Sequence, residues 1–131
     1  MDDKSPEGRV AAFFDQFNDA FASFKGERVA ALYHAPGIAL RGGGAIDVVP
    51  TTRAIATFFQ AALDEYHREG ARTCAWRDLS VVEMGSKAVL ATVTWALLDA
   101  AGANVRTWRQ SYNLVRVDDG WRVYASTYHE A

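Results

Sequence analysis

The C-terminal half of the chain, residues 71–129, reads as four long strands separated by three short turn signals. Helix-period segments precede these strands along the chain. Helices followed by a meander of long strands are typical of one curved sheet that wraps over its helices. Such a sheet leaves a cavity beside the helices, and cavities bind small molecules. The sequence therefore predicts an α+β fold with a curved antiparallel sheet, made of four long strands plus short N-terminal strands, over about three helices.

Length and charge narrow the class of protein. The chain has 131 residues and a net charge of -2, which fits a single domain over residues 1–131 with a disordered tail at about residues 1–5. The charge balance excludes a basic surface for nucleic acid or a membrane. A single cysteine, Cys74, excludes an internal disulfide and a thiolate metal cluster. The charged residues 1–4 and the lack of a long apolar run predict a soluble, cytoplasmic protein.

Spacing and capping residues predict the helices. Ser5 and Pro6 suit the start of a first helix whose phenylalanines recur at spacings of three and four. Thr51 or Thr52 can cap a later helix with the same apolar period. The predicted elements before the long strands are a helix from Pro6 to about Gly26, a helix over 27–33, strands over 38–41 and 45–49, and a helix to about Arg68.

The turns between the long strands predict their register. A three-residue loop at 100–102 places Trp95 opposite Thr107, and a two-residue turn before the last strand places Ser111 opposite Tyr128. The face that this register assigns to the cavity carries Val89, Ala91, Val93, Trp95, Thr107, Arg109, Ser111, Asn113, Val115, Tyr124, Ser126 and Tyr128. A slip of one residue in either loop would swap the faces of everything beyond it.

Both faces of the predicted sheet mix aromatic residues with hydroxyls and amides. A sheet with one solvated side would instead alternate cleanly between apolar and polar residues. We therefore expect one face to pack on the helices and line a cavity, and the other to form a homodimer through Trp108 and Tyr112. The alternative is a monomer in which Arg109, Ser111 and Asn113 face water.

Aromatic side chains are the predicted ligand contacts. The residues expected to bind the ligand are Phe17, Trp76, Trp95, Arg109, Ser111, Asn113, Tyr124 and Tyr128. Apolar walls with a few polar groups suit a flat or hydrophobic small molecule that carries a carbonyl or carboxylate. A buried Arg109 needs an anionic partner, either Asp78 or the ligand itself. Core packing alone is the alternative for Trp76 and Trp95.

No motif in the chain names a reaction. Asp47 and Asp78 are the acids nearest the predicted interior, and a desolvated carboxylate there would be a candidate general base. Asn113 could polarise a carbonyl group. A hydrogen-bonded structural role is the alternative for each acid. The three histidines show no metal-ligand spacing, so we expect neither a metal nor any other cofactor.

Several stretches carry a resemblance to a known superfamily. They are residues 17–38, residues 53–59 and the strand–turn–strand segment 114–123. From about Gly8 to His129 the chain resembles the nuclear transport factor 2-like superfamily, which includes SnoaL-like polyketide cyclases and ketosteroid isomerase. This resemblance implies a cone-shaped sheet. It says little about activity, because members of the superfamily include enzymes, binding modules and assembly domains.

The ketosteroid isomerase mechanism can be compared residue by residue. That enzyme uses a tyrosine on its first helix, an aspartate base and a protonated aspartate on the sheet. The matching positions here are Phe17, Arg41 and Asn113, of which only Asn113 could bind an oxyanion. Together with the character of the two sheet faces, the resemblance leads us to expect a homodimeric SnoaL-like domain that binds an apolar small molecule, with undetermined activity. The alternatives are a lyase, isomerase or hydrolase acting on a hydrophobic carbonyl compound, and a non-catalytic assembly module.

Overall fold

The computed structural model describes residues 5–118 and 120–130 and contains three helices and one six-stranded sheet. The helices are α1 (Pro6–Ala22), α2 (Gly26–Ala30) and α3 (Thr52–Arg68), and the strands are β1 (Tyr33–Leu40), β2 (Ile46–Val49), β3 (Thr73–Met84), β4 (Ala88–Leu98), β5 (Asn104–Val117) and β6 (Gly120–Tyr128). The predicted α+β architecture is confirmed. The tail predicted at about residues 1–5 lies outside the described residues, except for Ser5.

The sheet has the strand order β2-β1-β6-β5-β4-β3. Neighbouring strands run antiparallel, except that β1 runs parallel to β6. The long meander β3 to β6 therefore forms most of the sheet, and the short hairpin β1–β2 extends it beyond β6. No helix in the described part of the chain is long and apolar enough to cross a membrane.

Helix α1 begins where the sequence predicts. The Ser5 hydroxyl accepts a hydrogen bond from the Gly8 N–H at 3.0 Å, and Pro6 lies in the first turn. The phenylalanines of its apolar stripe, Phe13, Phe14, Phe17 and Phe21, are all buried. Burial of each such side chain contributes about 1.5–3 kcal/mol to folding. This stripe fixes α1 tightly against the sheet.

Helix α3 is capped by Thr51, whose hydroxyl accepts a hydrogen bond from the Ala54 N–H at 3.1 Å. The short helix α2 packs against α3 at Gly26, whose N–H donates to the Gln60 side chain at 2.8 Å. The helix predicted over 27–33 starts one residue earlier and ends at Ala30. The chain then enters β1, because hydrogen bonding to β6 competes with the local helical period.

The predicted register between β4 and β5 is wrong. Trp95 pairs with Trp108 and not with Thr107, because Val105 is an extra residue in β5. The inner face is the side of the sheet that packs on the helices. The bulge moves Arg109, Ser111 and Asn113 to the outer face and brings Trp108 and Tyr112 to the inner face.

A second shift separates β5 from β6. Val117 pairs with Gly120, which shifts the pairing by two residues from the prediction, and the bulge at Tyr124 reduces this shift to one. Ser111 therefore pairs with Thr127 rather than with Tyr128. The two shifts cancel between β4 and β6. Tyr128 therefore lies on the same face as Trp95, as predicted, although the strand between them is turned over.

Candidate functional site

A cavity of about 860 Å³ lies between α3 and the strands β1, β5 and β6. Small-molecule sites are usually clefts of about 300–1,000 Å³ with mainly apolar walls. The apolar and aromatic side chains that line this cavity are Phe21, Tyr33, Ile38, Leu40, Val49, Ile55, Phe58, Phe59, Tyr66, Trp108, Tyr112 and Tyr128. Its size and walls are those of a binding site for a small apolar molecule.

Polar groups occupy the floor of the cavity, where β5 meets β6. Tyr112 pairs with Ser126, and Gln110 pairs with Tyr128, so the four side chains form a block on the inner face. Ser126 is the buried polar residue of the core, with 6% of its surface exposed. The cavity therefore offers a few converging hydrogen-bonding groups on an otherwise apolar surface.

Two indole N–H groups form hydrogen bonds to residues of this floor. Trp95 Nε1 donates to the Tyr112 hydroxyl at 2.7 Å. Trp108 Nε1 donates to Gln110 Oε1 at 2.8 Å. These bonds hold Tyr112 and Gln110 in defined orientations, which is what a binding site needs from its supporting groups.

Burial raises the pKa of three phenols that line the cavity. Desolvation raises the pKa of Tyr112 well above its usual value, and this outweighs the opposing effect of the hydrogen bond from Trp95. Desolvation likewise raises the pKa of Tyr33, against the lowering effect of Ser126. Burial also raises the pKa of Tyr66. Since these phenols keep their protons at neutral pH, they act as hydrogen-bond donors there and not as bases.

Charged residues are gathered at the rim. Arg41 forms an ion pair with Asp47 at 2.5 Å, and Arg106 forms one with Glu69 at 2.8 Å. Both arginines line the cavity, as does Glu130, whose carboxylate accepts a hydrogen bond from the loop after β1. In the described residues no group of three or more His, Cys, Asp or Glu side chains could hold a metal ion.

Among the predicted ligand-binding residues, Tyr128 lines the cavity. Phe17 and Trp95 are buried in the packed core under α1, with ring centroids 5.4 Å apart. Trp76 lies beside the same helix, where its indole N–H donates to Asp15 at 3.1 Å. The alternative of core packing therefore describes Trp76 and Trp95. Their aromatic character indicated that they are buried, but it could not distinguish a place in the packed core from a place in the cavity wall.

The polar residues predicted to line the cavity lie on the outer face. Arg109 donates to the backbone carbonyl of Asp78 at 2.9 Å and to the Thr94 hydroxyl at 3.1 Å, so its partners are neutral oxygens and not the Asp78 carboxylate. The Ser111 hydroxyl lies 2.7 Å from Nε2 of His129. Asn113 shares this face, opposite Ala125. These three side chains do not line the cavity. A ligand role for them stays a prediction.

The candidate catalytic groups are far apart in the sheet. Asp47 lies on β2 and Asp78 on β3, which are the two opposite edge strands, and Asn113 lies on β5 with its side chain outside. Asp78 is exposed, with its carboxylate 3.4 Å from Arg77. The structure does not bring these residues together as a base and a carbonyl-polarising group.

The predicted dimer contacts, Trp108 and Tyr112, and the predicted ligand contact Tyr124 do not lie where the sequence placed them. Trp108 and Tyr112 are only 8% and 2% exposed, because the bulge in β5 turns them toward the helices. They cannot form an outer interface. Tyr124 is half-buried at the bulge of β6, where it is the unpaired residue. The outer face instead presents the polar residues that were predicted for the cavity.

Sequence reasoning missed Gln110, Ser126 and Tyr112 as a joint polar floor. The sequence did contain an indication of this floor, because every second residue of β5 from Trp108 onward is large. Trp108, Tyr112 and Leu114 match the apolar inner face of β4 better than the Arg109 series does. Since a bulge changes the pairing by one residue, matching bulky faces is a better guide than counting from a loop.

Comparison with protein families gives one match over nearly the whole chain. The model of a family described as "NTF2-like protein (DUF6841)" matches residues 6–131. None of the curated proteins compared with the chain matches it. The match covers all of the described helices and strands.

Solved structures share the fold at low sequence identity. Aln2 from a Streptomyces species is 22% identical, with a TM-score of 0.77, over 96% of this chain and 92% of that one. A putative calcium/calmodulin dependent protein kinase II association domain from Xanthomonas campestris is 20% identical, with a TM-score of 0.70, over 98% and 91%. A ketosteroid isomerase-like protein from Erwinia carotovora atroseptica is 13% identical, with a TM-score of 0.69, over 98% and 99%. At these identities the likeness shows the fold alone.

Proposed function

Because the chain belongs to the family of NTF2-like proteins (DUF6841) and its fold contains a cavity of about 860 Å³, we propose that it is a SnoaL-like pocket domain that binds an apolar small molecule. The observation that carries the proposal is the cavity itself. Its walls come mainly from α3, β1, β5 and β6, with Phe21 of α1 and Val49 of β2. A cleft of this size with mainly apolar walls is typical of small-molecule sites.

Half-burial of the aromatic residues of α3 supports the same proposal. Phe58, Phe59 and Tyr66 are large side chains that line the cavity without being fully buried. Apolar groups left in contact with water gain about 25 cal/mol for each Å² that a ligand covers. A flat or hydrophobic guest would therefore bind by covering these rings.

The enzymatic alternative has less support. A lyase, isomerase or hydrolase of the predicted kind needs a carboxylate base facing the carbonyl of its substrate. Asp47 is already paired with Arg41 at the rim, and Asp78 is exposed on the far edge of the sheet. The alternative of an assembly module with a filled interior is disfavoured by the cavity. A cytoplasmic location stays a prediction.

A homodimer through the outer face remains part of the proposal. Arg109, Ser111 and Asn113 on that face are half-buried within a single chain and are free of the helices. Sedimentation velocity tests the dimer, with Asn113→Arg as the variant that places a charge in the middle of the face. We expect a dimer for the wild type and a monomer for Asn113→Arg. A wild-type monomer at micromolar concentration would remove the dimer from the proposal.

Binding is tested by filling the cavity. Ala62 lies on α3 and lines the cavity, so Ala62→Phe should occupy the space of a ligand. Ala12→Phe is the matched control, because Ala12 is exposed on α1. The measurement is a fluorescence titration with prodan, a neutral naphthyl ketone dye, together with native mass spectrometry of the protein as purified.

We expect prodan to bind the wild type and Ala12→Phe with a blue-shifted emission, and Ala62→Phe to bind at least tenfold more weakly. Any compound retained through purification should likewise be absent from Ala62→Phe. Equal binding by all three proteins would place the dye elsewhere. No binding by the wild type would contradict the proposed function.

A further inference from the structure

The floor of the cavity contains a phenol whose hydrogen-bonding direction is fixed. Tyr112 is 2% exposed, lines the cavity and receives the N–H of Trp95 at 2.7 Å. An indole nitrogen carries a hydrogen and can only donate. The Tyr112 oxygen is therefore the acceptor in this bond, and the phenol keeps its own O–H for another partner.

The neighbouring amide is fixed in the same way. Gln110 Oε1 lies 2.8 Å from Nε1 of Trp108. The oxygen and nitrogen of a glutamine amide are normally assigned from their neighbours. Here the neighbour is a donor, so the atom that faces it must be the oxygen. The NH₂ group of Gln110 is consequently the end that remains for other contacts, and Gln110 also lines the cavity.

The two remaining donors belong to one small area. Tyr112 and Gln110 are two residues apart on β5, so their side chains leave the same face of the strand about 7 Å apart at the backbone. Ser126 lies directly opposite Tyr112 and adds a hydroxyl. No carboxylate belongs to this floor, since Glu130 and Asp47 lie at the rim.

We infer that Tyr112 and Gln110 form a paired donor site that binds a carbonyl or carboxylate oxygen of an otherwise apolar ligand. The inference rests on the proposed function, because it names the chemical group that the same cavity selects. A buried donor that stays unpaired is costly, so the site favours ligands with an acceptor over hydrocarbons of the same shape. It also disfavours cations, which offer no acceptor to either group. Trp95 and Trp108 are positioning residues for the pair.

Two probes of nearly equal shape test this selectivity. 2-Acetylnaphthalene carries a ketone oxygen, and 2-isopropenylnaphthalene has a methylene in its place. Isothermal titration of the wild type should give about five- to tenfold tighter binding of the ketone, the gain expected from one or two neutral hydrogen bonds. The affinity for the hydrocarbon measures the apolar cavity alone.

Variants assign the preference to the two residues. Gln110→Glu keeps an oxygen for the Trp108 N–H but replaces the amide donor with a carboxylate oxygen, so the ketone should lose its advantage. Tyr112→Phe should reduce the advantage while leaving hydrocarbon binding within about twofold, a change smaller than one hydrogen bond would cause. Tyr124→Phe is the matched control, because Tyr124 is a half-buried tyrosine outside the cavity, and it should behave as wild type.

The outcomes separate the inference from the proposed function. Binding of both probes with equal affinity by the wild type would overturn the donor pair and leave the pocket standing. A ketone preference that survives in both Gln110→Glu and Tyr112→Phe would also overturn it. Failure of the wild type to bind either probe would contradict the pocket and, with it, the donor site.

Discussion

Helices α1 and α3 have the same length, 17 residues each, but the interior beneath them differs. Under α1 the space is filled by aromatic rings, and Phe14 and Phe17 each lie 5.5 Å from the Tyr112 ring. Under α3 the interior contains the cavity, although α3 also carries aromatic residues on its inner side. The filled half and the hollow half share one sheet.

The comparison shows that an apolar stripe does not by itself close a core. Helix α1 is held by contact of its own rings with the sheet. Helix α3 is held by α2 through Gly26 and by the ion pair between Glu69 and Arg106 of β5. Phe59 and Tyr66 of α3 contact Tyr33 and Trp108 of the sheet, with ring centroids 5.0 and 5.8 Å apart, and these four rings line the cavity. The filled half therefore supplies stability, and the hollow half is free for a ligand.

The largest expected effect comes from truncating one ring in each half. Phe17 is completely buried and Phe59 is half-buried, and both are phenylalanines on the inner side of a long helix. Phe17→Ala should lower the free energy of unfolding by about 3–5 kcal/mol. Phe59→Ala should lower it by less than about 2 kcal/mol, since it removes fewer packed contacts. Urea denaturation measures both, and equal losses would show that the two halves are packed alike.

Alkaline pH should destabilise the fold through a buried thiol of the filled half. Burial, with a smaller contribution from Asp19, raises the pKa of the Cys74 thiol from 9.0 to about 12. Between these values the unfolded chain loses the thiol proton while the folded chain keeps it. The free energy of unfolding should therefore fall as pH rises, by about 1.4 kcal/mol per pH unit for this group.

Urea midpoints between pH 8 and 10 measure this decline, with Cys74→Ala as the comparison. Below about pH 9 the contribution of the thiol is fully present, and the variant should lose the part of the slope that begins there. Tyr112, whose pKa is also raised by burial, adds a further decline above about pH 10. Identical pH dependence in the wild type and in Cys74→Ala would show that the thiol is not buried as described.

The contact between α2 and α3 can be tested at two glycine positions. A Cβ at Gly26 would clash with the backbone of Ala56, whereas a Cβ at Gly37 would meet Ile55 at an ordinary 3.6 Å. We expect Gly26→Ala to cost about 1–3 kcal/mol, because the two helix backbones must separate. Gly37→Ala should change stability by less than about 1 kcal/mol. Thermal unfolding measures the stability of both variants. A larger loss for Gly37→Ala than for Gly26→Ala would mean that α2 does not hold α3.

The smallest effect is expected at the ion pair that joins α3 to β5. Glu69→Gln removes the partner of Arg106 at a partly exposed position, so it should cost less than about 1 kcal/mol. The difference from wild type should shrink further as salt is added, because such pairs are screened. A loss that is large or independent of salt would indicate that this end of α3 is more tightly bound than the hollow half allows.

Local patterns in the sequence were sufficient to predict where α1 and α3 start and the order in which the elements follow one another. Ser5 and Thr51 are side-chain caps at the predicted starts of α1 and α3, and the apolar period of α1 gives its buried face. These features depend on residues that are close in the sequence, so they can be predicted from the sequence alone. The curved sheet over helices follows from the same reading.

The lining of the cavity depended on information that no local pattern carries. One extra residue, Val105, turns β5 over and exchanges Arg109 for Gln110 as the inward side chain. The bulge is a property of strand pairing rather than of the residues beside it. In the same way, Phe17 and Phe59 look alike in a helical period, and packing decides that one is core and the other is a cavity wall.

The central claim is that the domain is filled under α1 and hollow under α3, and a crystal structure under xenon pressure tests it directly. Xenon enters apolar cavities and cannot enter close-packed cores. We expect xenon between α3 and the strands β1, β5 and β6, beside Phe59 and Trp108, and none among Phe14, Phe17 and Trp95. A crystal in which α3 lies directly on the sheet with no xenon beneath it would contradict the account.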